Sequence, residues 1–182
     1  MNDMADKGPM AAHLEQALLD AVRTGNAQEV LRRLDDGLSF AWRDAEGCSA
    51  LFHAVYRRQW KVVDALLARG ASIDLPDFRG WTPLFWAAFN GHADIVMFLI
   101  SRGADPDVRT AEGEWPLFWA VYKGHMAVVR HLLIGGARRD LLDGDGHDVL
   151  WLARTLKRRE FVAMLEGQRR RHGISRAQPD ET

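Results

Sequence analysis

A single cysteine, Cys48, stands among 182 residues. An internal disulfide is therefore excluded, and the usage fits a reducing compartment. Excess charge is missing too: 24 Lys and Arg against 25 Asp and Glu leave a formal net charge of −1. No global field draws the chain to nucleic acid or to an anionic membrane surface. Long apolar runs are also absent, and nothing approaches the roughly 18 consecutive apolar residues of a membrane span. Residues 1–10 are polar and show no secretory signal. The expectation is one soluble, cytoplasmic, domain-sized chain, long enough to bury a core.

Catalytic constellations are equally scarce. The seven histidines (13, 53, 92, 125, 131, 147 and 172) form no His-Glu-x-x-His and have no cysteine partners, so zinc is not expected. No Gly-x-Ser-x-Gly occurs, and no glycine-rich phosphate loop precedes a helix in the required way. The run Asp143-Gly-Asp-Gly-His-Asp148 hints at a calcium loop. It lacks the glycine and the glutamate at the positions such a loop needs, and reads better as a turn. Cys48 has no base placed beside it in sequence. A non-enzyme without cofactor, metal or small-molecule substrate is expected.

What the chain has is periodicity. Gly47, Gly80, Gly113 and Gly146 recur every 33 residues, as do Leu51, Leu84, Leu117 and Leu150, and Ala54, Ala87, Ala120 and Ala153. Gly70, Gly103 and Gly136 keep the same step, each followed by alanine. Such a step means one small unit stacked several times, each burying its apolar face on its neighbours. The clearest unit begins at Asp77. Gly80 suits a turn needing positive φ. Thr82 serves as N-cap and Pro83 takes the first helical position, where its missing N–H costs nothing. Leu84, Ala87 and Ala88 face the packing side of a short helix that Gly91 ends. A second helix runs from about Ala93 to Arg102, with Ile95, Val96, Leu99 and Ile100 at helical spacing, and Gly103 stops it.

With these residues in place the chain resembles the ankyrin repeat family. Thr82 to Asp105 follows the family's T-P-L-H-x-A-A, G-H, I-V, L-L and G-A-D pattern almost position for position. The unit at 110–142 matches through Pro116, Leu117, Ala120, Gly124, His125, Val128, Val129, Leu132, Leu133, Gly136 and Ala137. The unit at 44–76 matches through Leu51, Ala54, Val62, Val63, Leu66, Leu67, Gly70 and Ala71. Degenerate units at 11–43 and 143–167 flank them, as capping repeats do. The resemblance implies an all-α repeat solenoid of five units over 11–167, with helix pairs joined by β-hairpin turns and curved into a concave groove. It makes His92 and His125 structural. Residues 1–10 and 168–182 lack the periodicity and are expected to be disordered; Arg169, Arg170 and Arg171 make the second of these basic.

Two departures from the family pattern carry expectations. Its histidine in T-P-L-H is aromatic at every turn of the repeat, as Phe52, Phe85, Phe118 and Trp151, which predicts an apolar ladder, each ring stacking on the next unit. Arg58 and Lys157 stand where Gly25, Gly91 and Gly124 end the first helix of other units. They must adopt a left-handed backbone or find another cap.

Function is expected in the groove. Carried over from the family, its lining includes Tyr56 and Arg57, then Phe78, Arg79, Trp81, Trp86, Phe89 and Asn90, then Glu112, Glu114, Trp119, Tyr122 and Lys123. Tyr56, Phe89 and Tyr122 occupy equivalent positions and should form a line, with Phe78 and Trp81 projecting beside Phe89. Trp86 and Trp119 can equally serve as cover for the core. Aromatics interspersed with arginine are what binding hot spots are made of. A protein partner, gripped and thereby masked, inhibited or tethered, is the leading expectation, for a chain that is monomeric alone. An accessory subunit stabilising an enzyme complex would use the same surface. Nucleic-acid binding through stacking on aromatics is disfavoured by the near-neutral charge.

Overall fold

The computed structural model of the protein describes residues 9–36 and 42–167. Residues 1–8 and 168–182, on which the expectations of a disordered head and a basic tail mainly fall, lie outside these. Pro9 and Met10 already belong to the first helix. Among the described residues ten helices follow one another in pairs: α1 (Pro9–Thr24) with α2 (Ala27–Asp35), α3 (Ala50–Tyr56) with α4 (Trp60–Ala68), α5 (Pro83–Phe89) with α6 (Ala93–Ser101), α7 (Pro116–Lys123) with α8 (Met126–Ile134), and α9 (Val149–Thr155) with α10 (Arg159–Gly167). The odd-numbered helices pack in one unbroken row, α1 on α3, α3 on α5, α5 on α7 and α7 on α9. Their partners stand behind them, with α2 against α4 and α6 against α8. This is an all-α repeat solenoid.

The 33-residue step is the reason the row closes. Leu18, Leu51, Leu84, Leu117 and Leu150 are all buried, as are Ala21, Ala54, Ala87, Ala120 and Ala153. Leucine fills the space between units, and alanine lets successive short helices approach to the usual 8–10 Å or so. Behind them Val30, Val63, Val96 and Val129 bury the matching positions of the second row. The seven- to nine-residue helices after α1 are too short to persist alone, so packing along the row sustains them.

Caps set the helix limits. Ser49, Thr82 and Asp148 each accept a bond from the backbone N–H three residues on, at 3.1, 3.1 and 2.7 Å. Trp115 holds the same position without a side-chain cap and is buried, with the Arg109 guanidinium 5.0 Å from its ring centroid. At the helix ends Gly25, Gly91 and Gly124 take positive φ, and so do Arg58 (φ 58°) and Lys157 (φ 56°). Of the two routes open to these residues, the chain uses the left-handed one.

Among the described residues the β-hairpins expected between units are reduced to tight turns, and the one isolated β-bridge joins Arg43 and Ser49. Each turn is closed by the same backbone bonds, Asp44 N–H to Cys48 O, Asp77 to Trp81, Thr110 to Glu114 and Asp143 to His147, at 2.9–3.0 Å. The first residue of each also accepts side-chain bonds. Asp77 is nearly fully buried, and its Oδ1 takes the N–H of Arg79 and of Trp81, both at 2.9 Å. Asp44 and Asp143 repeat the arrangement, and Thr110 Oγ1 receives the N–H of Glu114. One such turn precedes each of α3, α5, α7 and α9.

Candidate functional site

The odd-numbered helices and the turns that precede them present one face, and aromatic rings cross it. Tyr56, at the end of α3, is 55% exposed and leans on Trp86 of α5, ring centroids 4.9 Å apart. Trp86 also meets Phe52 at 6.4 Å and His92 at 5.1 Å. Phe89, at the end of α5, repeats the Tyr56 contact one unit later, lying 5.0 Å from Trp119 of α7. Trp81 in the turn stacks beside Phe89 at 4.9 Å, and Trp119 meets Tyr122 edge-on at 5.2 Å. Thus Trp81, Phe89, Trp119 and Tyr122 form one continuous strip, and Tyr56 with Trp86 a second.

The sequence predicts a line through Tyr56, Phe89 and Tyr122. The rings instead alternate with the tryptophans, because equivalent positions on neighbouring helices stand about 8–10 Å apart, too far for ring contact, and the indole fills the gap. Phe78 does not project beside Phe89. It is 64% exposed, but its ring covers Gly47 of the preceding turn and its N–H bonds Glu46 O at 3.1 Å. A side chain on Gly47 would meet that ring at 2.7 Å, which adds a packing reason for glycine to the positive φ.

The polar members of the set divide. Arg79 lies over the Trp81 ring at 4.5 Å and pairs with the buried Asp77 carboxylate at 3.2 Å. Asn90 turns its Nδ2 back to donate to Trp86 O at 2.8 Å. Lys123 sits 4.4 Å above the Phe89 ring. Arg57, Glu112 and Lys123 are exposed, and Glu114 is half-buried at the turn. The predicted aromatic ladder is also rearranged. Phe52 and Phe85 are buried, but Phe85 stacks within its own unit on Trp81 and Phe89, Phe118 on Trp115, and the half-exposed Trp151 on His147. Stepping 33 residues carries a ring to the same height on the next helix, whereas the nearest open space lies beside its own turn.

A family model of three ankyrin repeats matches residues 18–110, and a model of one ankyrin repeat matches residues 112–144. The chain belongs to the ankyrin repeat family. No curated protein matches it. Beyond the matched residues the helix pair of α9 and α10 continues the ankyrin architecture by a further unit.

Within this ankyrin protein the residues that could serve chemistry other than binding make the following contacts. His125 Nε2 meets Phe89 O at 3.2 Å, and Arg158, one step later, donates to Tyr122 O at 3.0 Å. In these two units that position ties the preceding helix end to the following unit. His92 faces Trp86 and Arg58 instead. Asp143, Asp145 and His147 bring three ligand-type atoms within 4.8 Å; Asp143 Oδ1 accepts two turn N–H groups, and the imidazole stacks on Trp151 at 3.6 Å. Burial, reinforced by the nearby Asp44, Asp77 and Glu46, pushes the Cys48 thiol up to about 11. It stays protonated at neutral pH, the opposite of an activated nucleophile. No helix among the described residues is long and apolar enough to cross a membrane.

The turn-initiating Asp44, Asp77, Thr110 and Asp143 are what the sequence reading lacks. Their signal is plain in hindsight: a short side chain able to accept from its own turn, at a 33-residue step.

Proposed function

We propose that the protein is a non-catalytic interaction module that grips a partner protein across the aromatic strip, so that binding itself masks, inhibits or tethers the partner. Ankyrin repeats are generally protein–protein interaction modules. The observation that carries the reading is the continuity of Trp81, Phe89, Trp119 and Tyr122 over two units, with the separate pair of Tyr56 and Trp86 on the same face one unit earlier. Large rings held in place by neighbours lose little entropy on binding and supply much of the area that hot spots use. Arg57 and Lys123 stand beside the strip, able to meet carboxylates or backbone oxygens.

The test is affinity purification with Trp81→Ala/Phe89→Ala beside the unchanged protein. Because Trp81 packs on the buried Phe85, Tyr56→Ala/Tyr122→Ala is run in parallel; both of its positions are exposed. A partner lost from both folded variants supports the reading. A partner retained by both overturns it.

A further inference from the structure

The strip is bordered by unlike charges. On one side lie the turns, whose tips carry Glu46, Glu112 and Asp145, all exposed. On the other lie the C-terminal ends of the odd-numbered helices, with Arg57 after α3, Lys123 at the end of α7 and Lys157 after α9, exposed as well. The two borders are separated by the length of a seven- or eight-residue helix, about 10–12 Å at 1.5 Å per residue. The aromatic rings occupy the interval.

Elsewhere several ions of this protein find each other, although exposed ones such as Lys61, Arg130 and Glu160 have no ion-pair partner among the described residues. Arg58 pairs with Asp94, Arg69 with Asp35, Arg102 with Asp64, Arg138 with Asp140 and Arg154 with Glu166. Among the described residues none of the six border side chains has an ion-pair partner. Both signs are present in equal number, yet the intervening helix keeps them too far apart to neutralise one another. At about 10 Å in water their mutual attraction is only a few tenths of a kcal/mol, so they remain available to a third body. Arg79 interrupts the acidic border, but the Asp77 carboxylate already holds it.

Resting on the reading of this strip as a protein-binding face, we infer that the partner segment is polarised across its width. It carries basic residues on the edge that meets Glu46, Glu112 and Asp145, and acidic residues on the edge that meets Arg57, Lys123 and Lys157. Apolar or aromatic anchors lie between, over Phe89 and Trp119. A segment charged with one sign throughout would satisfy one border and be repelled by the other. The near-zero net charge of the chain thus conceals a face that selects orientation: a segment rotated end for end about the strip's normal places like charges together, and like-charge juxtaposition is what rejects wrong registers.

A random peptide library displayed on phage tests this directly. Selections run against the unchanged protein, against Arg57→Glu/Lys123→Glu and against Glu46→Lys/Glu112→Lys. The unchanged protein should enrich sequences with acidic and basic residues at separate positions around an apolar or aromatic anchor. The Arg57→Glu/Lys123→Glu variant should lose the acidic positions, and the Glu46→Lys/Glu112→Lys variant the basic ones. A peptide selected on the unchanged protein should bind each variant about tenfold more weakly, the scale of two reversed exposed pairs, with the difference shrinking at high salt. Enrichment of single-sign peptides, of none, or of the same peptides on all three proteins overturns the inference. If the charge inversions have no effect while Trp81→Ala/Phe89→Ala abolishes peptide binding, the strip still binds protein and only the polarity is wrong. If neither change matters, the strip itself is not the binding face.

Discussion

Phe85 has 1% of its surface exposed and sits 5.0 Å from Trp81 and 6.5 Å from Phe89. An imidazole there would need polar partners, whereas a phenyl ring needs only contact, and the turn of its own unit supplies it. The same position becomes progressively less enclosed along the chain, through the half-buried Phe118 to Trp151, 43% exposed. Replacing the residue with alanine should therefore cost different amounts in different units. Phe85→Ala is expected to lose about 3–5 kcal/mol in urea denaturation, because a large ring leaves a cavity that a stacked row cannot collapse around. Trp151→Ala should lose well under half of that. A loss below about 1 kcal/mol at Phe85 would remove its ring from the core, whatever its exposure.

Helix ends illustrate how a rule of local chemistry can be broken and still be read. The first helix of a unit ends in a residue with positive φ, which glycine adopts freely and other residues adopt at a cost of about 1–2 kcal/mol. Lys157 accepts that cost at φ 56°, with its N–H bonded to Arg154 O at 2.9 Å and the next N–H to Ala153 O. Lys157→Gly should therefore stabilise the protein by about 0.5–1 kcal/mol in urea melts, part of the strain relief being returned as unfolded-state entropy. Gly91→Ala should act in the opposite sense and more strongly, since its new methyl would meet the His125 ring at 2.7 Å. No change at Lys157 would mean that the lysine relaxes the end in some other way. Helices, their caps at Thr82 and Pro83, and their stops at glycine were legible in the sequence, because each is decided by neighbours in the chain. The pairing of rings was not. Whether Phe89 touches Tyr56 or Trp119 depends on the spacing between helices, which a 33-residue step does not state.

Along the whole molecule the units are also joined by backbone-to-carboxylate bonds that the sequence concealed, since an aspartate in a polar loop resembles any other. Asp74 accepts the N–H of Asp105, at 3.1 Å to its nearer oxygen, and Asp107, one step on, accepts the N–H of Arg138 at 2.9 Å. Both carboxyls are held above the ordinary range, mainly by burial, and each bond only partly offsets that. A carboxyl whose pKa is higher in the folded chain than in the unfolded one binds its proton more tightly when folded. Its contribution to stability is therefore greatest below the unfolded pKa and declines as pH rises through the folded value, so at neutral pH the two charges oppose the stacking that their bonds support. Asp107→Asn keeps an oxygen to accept from Arg138 and removes the charge. Thermal melts should show the variant slightly more stable than the unchanged protein at pH 7, with the gap closing as the pH falls below the ordinary carboxylate range. Asp107→Ala, which keeps neither oxygen nor charge, should be less stable than Asp107→Asn throughout. If Asp107→Asn is instead destabilised at pH 7 and matches the unchanged protein only in acid, the charge strengthens the bond between units by more than its burial costs, and the solenoid is held at this joint by the ion itself.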